Sequence, residues 1–489
     1  MKKIAIIGSG FSGLSAAAYA AKAGNDVSVF EKHTVAGGRA RQFTTPEGFV
    51  FDMGPSWYWM PDIIEGFFCD FGFKTSDFFK LVSLNPQFEI IFSNDCLQVP
   101  ESFEQLKVIF DKIEPGAAKN LEKFMRVAQS KYEIAMKDFV TKPCHNWLEF
   151  TSLQIGIQAF KLDMLTNFRT YVHKYFQNEK LRALMEFPVI FLGASPKNIP
   201  ALYSLMNYGG YKLGTYYPIG GFYQLVLAMQ SIAEKQGTKF YFNQTVEKIN
   251  VINNKVTSLL INGKLHEFDV VIASCDYHHT ESLLDKDFRN YTENYWSKKT
   301  FAPSCLIFYL GIDQKLPILQ HHTLFFENDF DTHIECIYTD KKWPEDPLFY
   351  CCCPSKTDDS VAPKGKENIF LLMPLAIGLE DNEEVRNNYL SKMLARIEQH
   401  TGIQNLSSKI VYKRSYCVSD FIADYNAYGG NAYGLANTLR QTAILKPKLK
   451  NQKLKNLFYT GQLTVPGPGV PPCIISGKIV ANQINNFNK

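Results

Sequence analysis

Charge is scarce in this chain. Only 20% of its 489 residues are Asp, Glu, Lys or Arg, and the formal balance of +4 is slight. With no basic stripe, nothing in the sequence supports a nucleic acid partner. The 11 cysteines show neither the paired spacing of a disulfide framework nor the Cys/His spacing of a zinc module. Reduced thiols, a cytoplasmic setting and no bound metal are therefore expected. No run approaches the roughly 20 continuous apolar residues of a membrane-spanning helix, and the N-terminus opens on a strand pattern instead of a charged leader. Contact with a bilayer is thus expected to be peripheral. Ser/His/Asp and Cys/His nucleophile constellations are also missing, which argues against covalent hydrolytic chemistry.

What the chain has in quantity is aromatic residues, with 38 Phe and 25 Tyr. Such a balance suits thick cores or a large apolar cavity. Its length is too great for one core and predicts two or three domains. The most informative segment is the first. Ile4 to Ile7 reads as a buried parallel strand. Gly8, Gly10 and Gly13 then stand where a tight turn, a close approach to pyrophosphate and close helix packing require glycine. Leu14 to Ala23 is an alanine-rich helix ended by Gly24, and the strand Asp26 to Phe30 closes on Glu31. A carboxylate there accepts the ribose hydroxyls of an adenosine and repels a 2′-phosphate, which disfavours NADP. No second unit of this kind occurs, so reduction or reoxidation by NAD(P)H is not expected.

Further along, Phe49 to Ser56 (FVFDMGPS) is a short strand running into a Gly-Pro turn. Helical periodicity follows over Glu104–Phe110, Ala117–Phe139 and Leu153–Phe176. Within Trp147 to Phe176, apolar residues cover more than one face, as in a doubly buried helix or one pressed on lipid. After Tyr217–Gly221 comes a helix through Leu225 to Ala233, then strands at Lys239–Phe242, Val246–Asn250 and Lys255–Ile261, with Asn253–Asn254 as a hairpin turn. Phe268 to Ala273 is a fully apolar strand, and Ser304–Leu310 and Asn368–Pro374 are further strands. Cys351, Cys352 and Cys353 sit in what reads as a buried strand, where cysteine behaves as a small hydrophobe. Near the end, a strand at Asn456–Thr460 leads into Gly461 and the run Pro466–Gly467–Pro468–Gly469, and a helix is expected after Pro472.

Together these elements resemble the FAD-dependent carotenoid desaturases of the bacterial phytoene desaturase type, over nearly the whole chain. The likeness rests on GSGFSG with Glu31, the GGR turn at Gly37–Arg39, FDMGPS, FPVIFLGASP at Phe187–Pro196, YYPIGG, DDSVAPKG at Asp358–Gly365 and TGQLTVPGPGVP at Thr460–Pro471. One departure is Gln462, where many flavoproteins of this fold carry an acid. The resemblance implies an α/β architecture, with a Rossmann-like, glutathione-reductase-type FAD domain built from residues 1–75, 215–290 and 435–489. Residues 76–214 and 291–434 would form an inserted α+β substrate domain facing the membrane. It implies that Gly8, Gly10, Gly13, Glu31, Gly38, Arg39, Gly54, Pro55, Ser56, Val246, Gly461, Val470 and Pro471 bind FAD, the last helix turning its positive end toward the flavin.

The implied reaction is removal of hydride and proton from neighbouring carbons of an apolar carotenoid. Phytoene towards lycopene is the leading reading; a hydroxycarotenoid 3,4-desaturase and a carotenoid isomerase are the rivals. Oxygen or a membrane quinone would take the electrons. For proton handling, Arg169, His173, Arg182 and Asp163 are the polar residues of the helical region, and the sequence selects none of them.

Overall fold

The computed structural model describes residues 1–144, 163, 166–438 and 440–486. Most of the 147–176 segment, namely 147–162, 164 and 165, lies outside the described residues; of its remainder, Phe168–His173 is a short helix. Two large sheets organise the rest. One is five-stranded and parallel throughout, in the order Leu457–Tyr459, Val270–Ala273, Lys3–Ile7, Asp26–Phe30 and Lys239–Tyr241. Its strands read as apolar runs because helices cover the sheet. The helices Phe11–Lys22, Tyr223–Lys235 and Val470–Asn486 pack with it into one apolar cluster around Ile4, Leu14, Val29, Val226 and Val480. A three-stranded antiparallel sheet, Val246–Ile252, Lys255–Ile261 and Lys264–Glu267, lies beside it. Its first turn places Asn253 and Asn254 at φ of 52° and 57°, the left-handed pair expected of a hairpin.

The other large sheet has seven strands, in the order Ile410–Tyr416, Ser304–Ile312, Glu367–Leu375, Phe349–Cys352, His322–Phe325, Phe88–Ile91 and Cys96–Val99. All its pairings are antiparallel except that of His322–Phe325 with Phe88–Ile91. Ser304–Ile312 is buried along its whole length, which explains its unbroken apolar run. One face carries the helix Glu383–Thr401 through Leu390, Met393 and Ile397. The other shares a cluster with the helices Phe103–Ile113 and Ala117–Ile134. Cys351, Cys352 and Cys353 are buried in or beside the Phe349–Cys352 strand, and burial raises all three thiols, which fits a packing role.

One buried group is out of place. The Lys446 amine is buried, has no hydrogen-bond partner among the described residues and lies beside Gly467 of the Pro-Gly run. Burial, reinforced by nearby Lys299, pushes it down to about 7. An amine whose folded value is depressed destabilises the fold most at and below that value, and the penalty fades as pH rises toward the unfolded value near 10.5. Lys446→Met should therefore raise the thermal midpoint by a few degrees at pH 7, by less at pH 9, and hardly at all above pH 10.5. An unchanged midpoint at pH 7 would show that the amine is not a stability burden.

Candidate active site

The N-terminal turn explains its three glycines separately. Gly8 adopts a φ of 95°, open to glycine and strained for other residues. A Cβ at Gly13 would sit 2.2 Å from the Gly8 carbonyl oxygen, so the helix lies against the turn with no room for a side chain. At Gly10 the same test finds nothing within 4 Å, because that position faces open space. Phe11–Lys22 starts there with no side-chain cap and no acid in its first turn, leaving its amide donors and positive end for an anion. Glu31 is buried, and its carboxylate accepts from Ser9 N at 3.0 Å, Ser9 Oγ at 2.7 Å and His33 N at 3.0 Å. These bonds hold it at the strand end with acceptor capacity to spare.

The GGR turn is wedged between two other elements. A Cβ at Gly38 would stand 3.4 Å from Gly10 Cα, and one at Gly54 only 2.5 Å from the Arg39 carbonyl oxygen. Arg39 lies over the Tyr425 ring at 4.8 Å and donates from Nη2 to the Asn431 carbonyl oxygen at 3.1 Å. Its buried Nε has no partner among the described residues. With its amide oxygen turned toward Arg39, Gln462 accepts from Nη2 at 3.2 Å, so the residue that departs from the acidic pattern serves as a neutral partner of this guanidinium.

The two ends of the chain meet here. The C-terminal helix packs on Phe11–Lys22 so tightly that a Cβ at Gly477 would stand 2.4 Å from the Ser12 carbonyl oxygen. Ser15 Oγ donates to the Ile474 carbonyl at 2.7 Å. That helix starts at Val470, three residues earlier than the sequence pattern suggested, since prolines at 471 and 472 are tolerated in a first turn whose N–H groups lack helical partners anyway. Cys473 N bonds to the Gly469 carbonyl, so Val470 N–H is the amide left open at this terminus.

Gly8, Gly10, Glu31, Gly38, Arg39, Gly54, Pro55, Ser56, Val246, Gly461, Val470 and Pro471 all line a single cavity of about 380 Å³. Gly13 stands behind its wall. The cavity continues past Ser56 into an apolar section walled by Trp57, Trp59, Met60, Leu192, Met206, Ile307 and Leu372. An uncapped helix start, a carboxylate at the next strand end, an orphaned Arg39 Nε and an open amide at a second helix start fit a dinucleotide carrying a flat ring.

Arg169, His173 and Arg182 do not line this cavity. Arg169 is tied to Glu186, with Nη2 to Oε2 at 2.7 Å, and to Asp331. His173 Nε2 lies 3.2 Å from Glu186 Oε1. Arg182 Nε donates to the Phe176 carbonyl oxygen at 2.8 Å, and Asp163 pairs with Lys131 at 2.9 Å. All four are held in local ion pairs and caps of the helical region.

One polar group not singled out in the sequence, Tyr350, does reach the cavity. Tyr350 Oη lies 3.0 Å from Ser56 Oγ and 2.6 Å from His322 Nδ1. Next to them, His321, His322 and Cys352 bring their ring nitrogens and thiol within 4.8 Å of one another, a grouping of metal-ligand types that tertiary structure assembles without any sequence spacing. Asp52 accepts from Phe222 N at 2.6 Å, Tyr223 N at 3.2 Å and Gln42 Nε2 at 3.0 Å, while Asp358 accepts from Gly220 N at 2.6 Å. The FDMGPS, YYPIGG and DDSVAPKG motifs are thereby knotted together beside the cavity.

Comparison with known proteins places these features. Residues 11–485 match the family model of flavin-containing amine oxidoreductases. The carotenoid 3,4-desaturase of Haloarcula japonica is 40% identical over 484 residues, covering 98% of this chain and 97% of its own. The 4,4′-diapophytoene desaturase (4,4′-diaponeurosporene-forming) of Staphylococcus aureus is 30% identical over 496 residues, covering 99% and 98%. Among solved structures, an oxidoreductase from Methanosarcina mazei superposes with a TM-score of 0.63 at 16% identity over 97% of this chain and 98% of its own, a likeness of fold. FAD supplies the two-electron acceptor for hydride in such a site; the chain's part is to hold it and to lay an apolar substrate against it. The chain belongs to the flavin-containing amine oxidoreductase family, among its carotenoid desaturases, and is an FAD-dependent oxidoreductase.

Proposed function

We propose that this enzyme dehydrogenates an acyclic carotenoid at its 3,4 position, late in the assembly of the polyene, in preference to acting on phytoene. The observation that carries the choice is the 40% identity, end to end, with a carotenoid 3,4-desaturase, against 30% with a diapophytoene desaturase. Phytoene desaturation, the leading reading of the motifs, stays the second reading because that second relative is named a 4,4′-diapophytoene desaturase. An isomerase finds no support among these relatives.

In this reading FAD lies along the twelve lining residues above, with pyrophosphate at the Gly10 helix start and the ring beside Arg39, Gly461 and Val470. The cofactor domain comprises 1–75, 215–290 and 435–489, and residues 76–214 and 291–434 form the substrate domain. Membership of the five-stranded and seven-stranded sheets supports that division. Among the described residues no helix is long and apolar enough to cross a membrane. A lipid-soluble substrate then calls for work at the bilayer surface, with oxygen or a quinone as electron acceptor.

The test is chromatography of products after incubating the FAD-loaded enzyme with phytoene, lycopene and hydroxylated carotenes in liposomes. A product two hydrogens lighter from an already coloured carotenoid, with phytoene unchanged, is expected. Conversion of phytoene alone would overturn the 3,4 assignment.

A further inference from the structure

We propose that His321, His322 and Cys352 form a buried site for a single zinc ion, built into the seven-stranded sheet and apart from the lining of the large cavity. The inference does not depend on which substrate the enzyme takes.

The sheet brings the three side chains together. His322 and Cys352 stand directly opposite each other on the antiparallel strands His322–Phe325 and Phe349–Cys352, and His321 is fastened alongside because its carbonyl oxygen accepts from Cys353 N at 2.8 Å. Their donor atoms all lie within 4.8 Å of one another. Zinc bonds of about 2.0–2.3 Å set neighbouring ligand atoms roughly 3.3–3.7 Å apart, so binding draws the three inward by about an ångström. Cys352 differs from the cysteines on either side of it. It joins the apolar cluster of Tyr350 and Phe370, whereas Cys351 and Cys353 join the cluster on the opposite face of the sheet.

Each imidazole already has the bonding pattern of a metal ligand. His321 Nδ1 meets Thr357 Oγ1 at 2.7 Å and His322 Nδ1 meets Tyr350 Oη at 2.6 Å. The Nε2 atom of each ring is buried and has no hydrogen-bond partner among the described residues. With Nδ1–H donating to an oxygen, the ring is oriented, the tautomer is fixed and the Nε2 lone pair is left for a cation. Burial pushes His321 down to about 3 and holds His322 well below its ordinary value, so both rings are neutral, the form that binds metal.

Burial keeps the Cys352 thiol protonated on its own. As zinc binds, the S–H bond breaks, the proton leaves to solvent and the sulfur electron pair forms the Zn–S bond. One positive charge then remains. The field of Asp52 reaches Cys352 and that of Asp358 reaches His321, which offsets it. His321, Cys352 and Asp52 also line a small cavity of about 20 Å³, room for one ion or one water. Two imidazoles and a thiolate, with no oxygen donor among them, suit zinc and disfavour magnesium, calcium and manganese.

The experiment strips the FAD-loaded enzyme with a chelator, dialyses it against zinc chloride and then buffer, and counts metal by plasma mass spectrometry. One zinc per chain should be retained, with a thermal midpoint a few degrees higher than that of the stripped protein. Magnesium and manganese offered in the same way should wash out. Cys352→Ser and His321→Gln should each lower retained zinc at least about tenfold, whereas Cys353→Ser, on the opposite face, should keep it. X-ray absorption at the zinc edge of the wild type needs no variant to fold, and should show two imidazole nitrogens and one sulfur bound to the metal. A wild type that retains less than about a tenth of a zinc per chain overturns the site. So does a spectrum without sulfur, or zinc untouched by Cys352→Ser, either of which marks an adventitious ion only.

Discussion

Gly13→Ala should yield a colourless protein. The new Cβ would meet the Gly8 carbonyl oxygen at 2.2 Å and Ser274 Oγ at 2.9 Å. The first contact is with backbone of the turn that lines the cofactor cavity, so helix or turn must move. Overpacking of this kind costs about 1–3 kcal/mol, which lowers FAD affinity roughly 10- to 100-fold if it falls on the bound form. Gly10→Ala separates packing from approach. Gly10 has a φ of −70°, which alanine adopts freely, and no atom lies within 4 Å of the place its methyl would take. The apoprotein should keep its thermal midpoint while FAD binding is lost, because the methyl projects where the pyrophosphate must come close. Gly13→Ala should lower both. Flavin absorbance per protein and the apoprotein midpoint are the measurements; a Gly10→Ala protein that retains FAD with wild-type affinity would overturn the placement of the phosphates.

Removing the Asp52 carboxylate should be the most damaging single change outside the cofactor turn. Asp52 comes from the FDMGPS strand yet caps the helix Tyr223–Lys235, taking Phe222 N and Tyr223 N and also Gln42 Nε2. Asp52→Ala strands these donors next to a small cavity of about 20 Å³ and should cost about 2–4 kcal/mol. Gly221 cannot relax to compensate: it sits at φ 96°, and a Cβ there would lie 2.4 Å from Gln42 Nε2. Asp52→Asn keeps one acceptor and should cost much less.

Burial pushes the Asp52 carboxyl up to about 6, against the lowering effect of the bonds it accepts. The folded state therefore holds that proton more firmly than the unfolded chain. Its contribution is greatest below about pH 4 and is lost as pH rises through 6, a change of at most about 3 kcal/mol at 1.36 kcal/mol per unit. Relative to Asp52→Asn, whose amide does not titrate, the wild type should accordingly lose thermal midpoint as pH rises from 4 to 8. Parallel curves over that range would remove Asp52 from the pH response.

The cofactor elements could be read from the sequence because each is local. Gly8, Gly10, Gly13 and Glu31 lie on one strand, turn, helix and strand, and their spacing follows from chain geometry alone. Gly54 and the Pro-Gly run likewise mark places where backbone passes close to something. The helical region misled for the opposite reason. Arg169 and His173 stand as isolated polar groups among apolar neighbours, and nothing nearby in the chain reveals that Glu186 lies against both and Asp331 against Arg169, while Arg182 is bonded to the Phe176 carbonyl oxygen. Equally hidden were Tyr350, 294 positions from its partner Ser56, and Asp52, 170 positions from Phe222.

By itself, then, the order of residues determined the strand, turn, helix and strand at the N-terminus, a family that uses FAD, and strands such as Ser304–Leu310. Turns, caps and apolar periodicity act over a few residues and leave their mark in the local pattern. Which polar groups meet at the cavity wall was decided only when the seven-stranded sheet brought His322 and Tyr350 together and carried them to Ser56. Hydrogen bonds between segments hundreds of residues apart depend on positions in space, and no spacing along the chain encodes them.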